Sequence, residues 1–415
     1  MSVQSLHVHV LPNGLTLLIE TMRAVQSAAF TLAVPAGVVF EDEGAGGTAA
    51  VLSDLLLRGA GECDSRELSD RLDVLGLQRH ETVGTHQLTL GGATLAQNVL
   101  PALRLYADIL RRPHLPADQF PAALARVEQS VRSIEDEPRQ KVMIELQRRS
   151  YDAPWGRPTE GDLSTLQQVS LTRVQELYQR GVRPNGAILA VAGNVNVAAV
   201  LGIVEDAFGD WRPGPQPSLV RGGHGPPIDH VTVDSTQTQI GIAYPAVPYR
   251  HEDYYAAWAA VSVLSGGSSS RLFTEVRERR GLCYSVFAML HSQLTEGRVL
   301  AYAGTTAERA QETLDVTLAE LQRLSSGIER AELERCKAGA KSALIMQQES
   351  TASRASAMAR DWLHRGRVVP LEEVHQRLDA LSVADVNRYV QAHPADNVCV
   401  LTIGPAALEV PRVVS

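Results

Sequence analysis

The chain has 415 residues, 44% hydrophobic and 21% charged, with a net charge of −8, so it is long and apolar enough to bury two or more domain cores. The acidic balance offers no basic stripe for nucleic acid, and no run of about 20 apolar residues is present to cross a membrane. The four cysteines, Cys63, Cys283, Cys336 and Cys399, lie far apart without a C-x-x-C pair, and the first residues carry no leader pattern, so a cytoplasmic location with reduced thiols is expected.

In chain order, His7 and His9 share one face of a predicted strand. Residues 47–59, "GTAAVLSDLLLRG", read as an apolar helix after a glycine-rich turn, with Ser53 and Asp54 on its polar edge. His80 and His86 flank a further strand. Then come a strand, turn and helix in "HQLTLGGATLAQNVLPALRLYADIL" and a helix in "LPADQFPAALARVEQSVRSI". "VQELYQRGVRPNGAILAVAGNV" is a helix, a turn and an apolar strand ending at Gly193. The Pro/Gly-rich stretch "WRPGPQPSLVRGGHGPP" has no hydrophobic periodicity and reads as a linker.

Beyond the linker the order repeats. "RVLAYAGTTAERAQETLDVTLAELQRL", "IERAELERCKAGAKSALIMQ" and "VNRYVQAHPADNVCVLTIGP" match first-half segments at an offset of roughly 210–215 residues. This predicts an α+β fold of two homologous domains, 1–211 and 228–415, joined by a linker at 212–227. Each has a mainly antiparallel or mixed sheet with helices packed on one face, which leaves the other face to be covered or used.

The second half carries the most distinctive stretch, "LSGGSSSRLFTEVRERRGLCYSVFAM". The serines cap a helix on which Leu272, Phe273 and Val276 form an apolar face, and Gly281 ends it before a strand that carries Tyr284. Arg271 falls in the first turn, where the helix dipole disfavours a cation by a few tenths of a kcal/mol, so a compensating partner is expected. Arg271 and Tyr284 read either as a surface ion-pair residue and an aromatic with a wet tip, or as a functional pair. "GGSSSR" lacks the Lys-Ser/Thr ending of a phosphate-cradling loop.

This stretch resembles the second-half signature of the small M16 metallopeptidases, relatives of mitochondrial processing peptidase and pitrilysin. "HVHVLPNGLTLLIE", "YDAPWGRPTEG" and "VRPNGAILAVAGNV" extend the likeness over nearly the whole chain. The resemblance implies the M16/LuxS-like metallohydrolase fold and assigns Arg271 and Tyr284, 13 positions apart, to holding the substrate backbone and stabilising the oxyanion.

Active members carry H-x-x-E-H on the first-half helix: two histidines at i and i+4 reach one zinc ion, and the glutamate activates the bound water. Laid on residues 47–59, the first histidine becomes Ala50, the glutamate Ser53 and the second histidine Asp54. The third ligand, 76 positions beyond Asp54, becomes Ser130. No histidine has another at i+4, the strand histidines and the flanking Glu128 and Glu135 read as surface residues, and no metal or other cofactor is expected in this chain. In active members a substrate adds as a strand to a segment reading Asn-Ala-x-Thr. Here the matching residues are Arg79, His80, Glu81 and Thr82, and only Thr82 is retained as a substrate-binding position.

The resemblance therefore implies a chain inert by itself. Its leading role is the non-catalytic subunit of a heterodimer whose H-x-x-E-H partner supplies zinc and which cleaves peptides with Arg271 and Tyr284 acting in trans. An alternative is a homodimeric pseudopeptidase that binds peptides without cleaving them. A third, a structural role like that of M16-derived subunits of respiratory complexes, leaves the Arg/Tyr motif unexplained.

Overall fold

The computed structural model describes residues 5–411, so the ends of the two expected domains, 1–4 and 412–415, lie outside the described residues. The chain forms two compact units. One comprises the residues up to Ser133, Arg157–Val220 and Ile345–Val368; the other comprises Ile134–Gly156, Arg221–Leu344 and the residues from Val369 onward.

The first unit is built on strands β1 (Ser5–Val10), β2 (Thr16–Thr21), β3 (Ser27–Val34), β4 (Gln78–Val83), β5 (Leu88–Leu95) and β6 (Ile188–Gly193), in the order β1-β2-β6-β3-β5-β4. Only β2 and β6 run parallel. The second unit has β7 (Ile228–Thr232), β8 (Gln237–Ala246), β9 (Cys283–Ser292), β10 (Gly297–Thr306) and β11 (Cys399–Gly404), in the order β7-β11-β8-β10-β9, with β7 and β11 parallel. The repeat seen in the sequence is thus a repeat of topology. In each sheet the last strand of the half inserts centrally, and the strand before the last hairpin partner, β4 or β9, is left on the edge.

The weak alternation of the strands has a physical cause: both faces of each sheet are covered. On β2, Leu17 and Ile19 enter the main core with Phe30 and Leu32, while Leu18 turns to a second cluster with Ala29 and Ala190. That second face carries one helix, Thr351–Arg365, through Ala355, Met358 and Ala359. In the other unit, helix Pro138–Ser150 covers the equivalent face with Val142 and Leu146 against Ala243, Leu300 and Leu401. Gly241 makes this approach possible, since a Cβ there would lie 3.3 Å from both Val142 and Leu146. Arg149, bonded to Asp229, and Arg139, over the Phe287 ring, fix the same helix. Each unit therefore takes one covering helix from the opposite half of the sequence, which boundaries drawn at 211 and 228 do not anticipate. Each large apolar side chain buried in these layers contributes roughly 1.5–3 kcal/mol.

Candidate functional site

In the first unit, the turn before helix Thr48–Leu55 is held by a buried carboxyl group. Glu41 is 6% exposed, and its Oε1 accepts the N–H groups of Gly47 and Ala49 at 3.1 and 2.8 Å. Gly47 adopts φ +95° with Glu160 and Leu166 pressed against it, so no side chain is accommodated there. Arg157 donates to the carbonyl of Glu41 at 2.7 Å and closes the turn from outside. Burial, opposed by the Ala49 amide and the Arg157 charge, pushes the Glu41 carboxyl up to about 8.

A carboxyl raised in the fold from an ordinary value near 4.5 is protonated in both states in acid, so its full contribution is present there. Between about pH 4.5 and 8 the unfolded chain ionises and the folded one does not, and stability falls by up to about 1.4 kcal/mol per pH unit. Glu41→Gln keeps the acceptor and removes the titration. Urea unfolding across pH 5–8 is expected to show the variant gaining on the wild type as pH rises; parallel curves would contradict this.

The helix that follows places Ala50 and Ser53 inside, 9% and 6% exposed, and Asp54 at its rim. Both Asp54 oxygens are taken: Oδ1 accepts from Arg58 Nε and Oδ2 from Arg126 Nε. Arg126 lies on helix Phe120–Glu135, one turn before Ser130, which is exposed. Zinc needs three converging protein ligands. Here the only carboxylate among the replaced positions is neutralised by two guanidinium groups. No group of three His, Cys, Asp or Glu side chains able to hold a metal occurs among the described residues, the strand histidines included. These residues do not fit a zinc ion.

Beside this helix, β4 carries Arg79, His80, Glu81 and Thr82 on the outer edge of the sheet, all exposed. The His80 ring lies on the backbone of Gly91 across the strand pair, where a Cβ would come within 2.3 Å of it. Thr82 pairs with Thr89 and has an exposed side chain.

In the second unit the two residues of the sequence-derived pair lie in different environments. Arg271 is turned inward, its side chain 11% exposed. Its Nε and Nη2 donate to the two oxygens of Glu332, both at 2.8 Å, and Nη2 donates to the Gly327 carbonyl at 2.9 Å. Burial pushes the Glu332 carboxyl up, but the Arg271 hydrogen bonds, the Glu329 amide and the Arg271 charge outweigh it, and the group lies below the usual range. This pair supplies the compensation that a cation in a first helical turn requires. It engages Nε and Nη2 of Arg271.

Tyr284, at the start of edge strand β9, is 85% exposed. The cation over its ring is Arg277, with the guanidinium carbon 5.3 Å from the ring centroid and 4.8 Å from that of Phe273. Arg277 is exposed on the π-helical segment Phe273–Arg279, and no carboxylate lies within ion-pair distance of it among the described residues. π turns are rare and are frequently found at functional sites. The surface pair is therefore Arg277 and Tyr284, seven residues apart. Sequence reading missed Arg277 because it sits in the charged run "RERR", which resembles any solvated helix edge.

Two family profiles match the chain: "Insulinase (Peptidase family M16)" over residues 16–162 and "Peptidase M16 inactive domain" over residues 168–340. The chain belongs to peptidase family M16. This M16 chain is 28% identical to a zinc protease of Mycobacterium tuberculosis over 91% of its length and 88% of that protein. It is 25% identical to one of Bacillus subtilis over 95% and 97%. In fold it matches a peptidase M16 inactive domain from Pseudomonas fluorescens, with TM-score 0.88 and 20% identity over 98% of this chain and 100% of that one. A protease from Helicobacter pylori matches with TM-score 0.87 and 21% identity over 98% and 100%. No helix among the described residues of the M16 chain is long and apolar enough to cross a membrane.

Proposed function

We propose that this M16 chain is the zinc-less subunit of a two-chain peptidase, presenting Tyr284 and Arg277 to a peptide held at the zinc site of an H-x-x-E-H partner. The observation that carries the reading is an exposed Arg/Tyr pair with uncommitted donors, in a chain whose own metal position is closed by Arg58, Asp54 and Arg126. Arg277 is proposed for the role that the family resemblance gave to Arg271, since Arg271 is ion-paired to Glu332.

The chemistry asked of this chain is modest. The Tyr284 hydroxyl donates to an oxygen on which negative charge develops, and the guanidinium of Arg277 donates in its plane to peptide carbonyls. A preorganised oxyanion donor lowers a barrier by about 3–4 kcal/mol. Zinc, bound by the partner, would supply the activated water. The reading includes a cytoplasmic location, in keeping with four free cysteines.

The test is peptide hydrolysis by the purified chain alone and after mixing with an H-x-x-E-H chain from the same genome. No turnover alone and turnover in the mixture are expected. A homodimer that grips peptides without cleaving them is the second reading, favoured by the exposed edge of β4. It predicts peptide affinity that no zinc-bearing chain alters.

A further inference from the structure

We propose that Phe273 is a positioning residue that holds Arg277 ready for its ligand; the proposal rests on the subunit reading above only for what that ligand is. Phe273 is a large apolar side chain that does not serve the core. Leu272 and Val276 on either side of it are fully buried in the main cluster of the second unit, whereas Phe273 is partly exposed and lies outside that cluster. The apolar face expected from sequence is thus split. Leu272 and Val276 anchor the segment, and the Phe273 ring is placed under the Arg277 guanidinium at 4.8 Å.

The neighbouring arginines show what this changes. Arg271 is held by Glu332, Arg279 by Glu275, and Arg280 lies 3.9 Å from Glu312. Arg271 and Arg279 are hydrogen-bonded to their carboxylates, and Arg280 has one within ion-pair distance. Arg277 is instead held over two aromatic rings. Stacking uses the face of the guanidinium, while its N–H donors lie in the plane and point outward. Arg277 is thereby placed against two rings, and its donors have no hydrogen bond or ion pair among the described residues. Such a group suits a peptide carbonyl or carboxylate, which approaches in that plane.

The experiment compares Phe273→Leu, which keeps apolar bulk without a π face, with Phe273→Tyr, which keeps the ring. In arginine-labelled protein the Arg277 Nε–Hε resonance, assigned by its loss in Arg277→Lys, is expected to be displaced by ring currents in the wild type. It should move toward the position of a free arginine in Phe273→Leu and return in Phe273→Tyr. In the mixture with an H-x-x-E-H chain, kcat/KM is expected to fall roughly three- to tenfold in Phe273→Leu and to recover in Phe273→Tyr. A resonance unchanged in Phe273→Leu, or not restored in Phe273→Tyr, overturns the proposal. If the wild-type mixture cleaves nothing, the subunit reading fails, while the resonance still decides the role of Phe273.

Discussion

Arg277→Ala is expected to reduce peptide hydrolysis by the mixed subunits roughly 10- to 100-fold, the usual loss for a charge-assisted hydrogen bond to a bound carbonyl, with no change in thermal unfolding. Its side chain is exposed, forms no ion pair among the described residues, and covers only part of the Phe273 and Tyr284 rings. Arg271→Ala is expected to behave in the opposite way. Removing it strands Glu332, only 14% exposed, without its bidentate partner and leaves the Gly327 carbonyl short of a donor. A nearly buried carboxylate so abandoned costs about 2–4 kcal/mol, which reads out as a Tm lowered by several degrees. Any activity lost by Arg271→Ala should follow its loss of folded protein. Steady-state rates normalised to the folded fraction separate the two arginines, and equal losses of rate at equal stability would contradict the assignment.

The largest effect on folding is expected at the ion pair of Glu20 and Arg354, 3% and 4% exposed. Arg354 donates from Nε to Glu20 Oε1 at 3.0 Å and from Nη2 to Oε2 at 2.5 Å, joining β2 to helix Thr351–Arg365 inside one unit. The surroundings are apolar, with Leu18, Ala29 and Met358 in the same cluster. Charges in such a place attract strongly but have lost their hydration, so removing one partner is worse than removing both. Glu20→Leu and Arg354→Leu are each expected to destabilise by about 3–5 kcal/mol, and the double variant by much less than the sum. Urea unfolding of the four proteins in the cycle measures this. Additive losses would mean that the two groups do not act as a pair.

The duplicated order of helices and strands was legible in the sequence because each half repeats the same apolar strands and glycine turns, down to Gly193 and Gly404. The loss of the zinc set was legible because H-x-x-E-H is a local pattern on a single helix. What closes the site was half legible. Arg58 lies at i+4 from Asp54, an ordinary helical pair, but Arg126 comes from another helix 72 residues away. The exchange of covering helices was hidden, since an amphipathic pattern says that a helix has a buried face and not which sheet it meets. The surroundings of Arg271 were hidden for the same reason. Its spacing to Tyr284 is a property of the chain, whereas its capture by Glu332, 61 residues away, is a property of the fold.

The most direct measurement of the central claim is zinc binding by the purified chain, titrated calorimetrically with Zn²⁺ and followed by peptide hydrolysis with and without an H-x-x-E-H chain. With Ala50, Ser53 and Ser130 at the ligand positions and Asp54 held by Arg58 and Arg126, no stoichiometric binding and no hydrolysis by the chain alone are predicted, with hydrolysis appearing in the mixture. One zinc ion bound per chain, together with cleavage in the absence of any partner, would contradict the account.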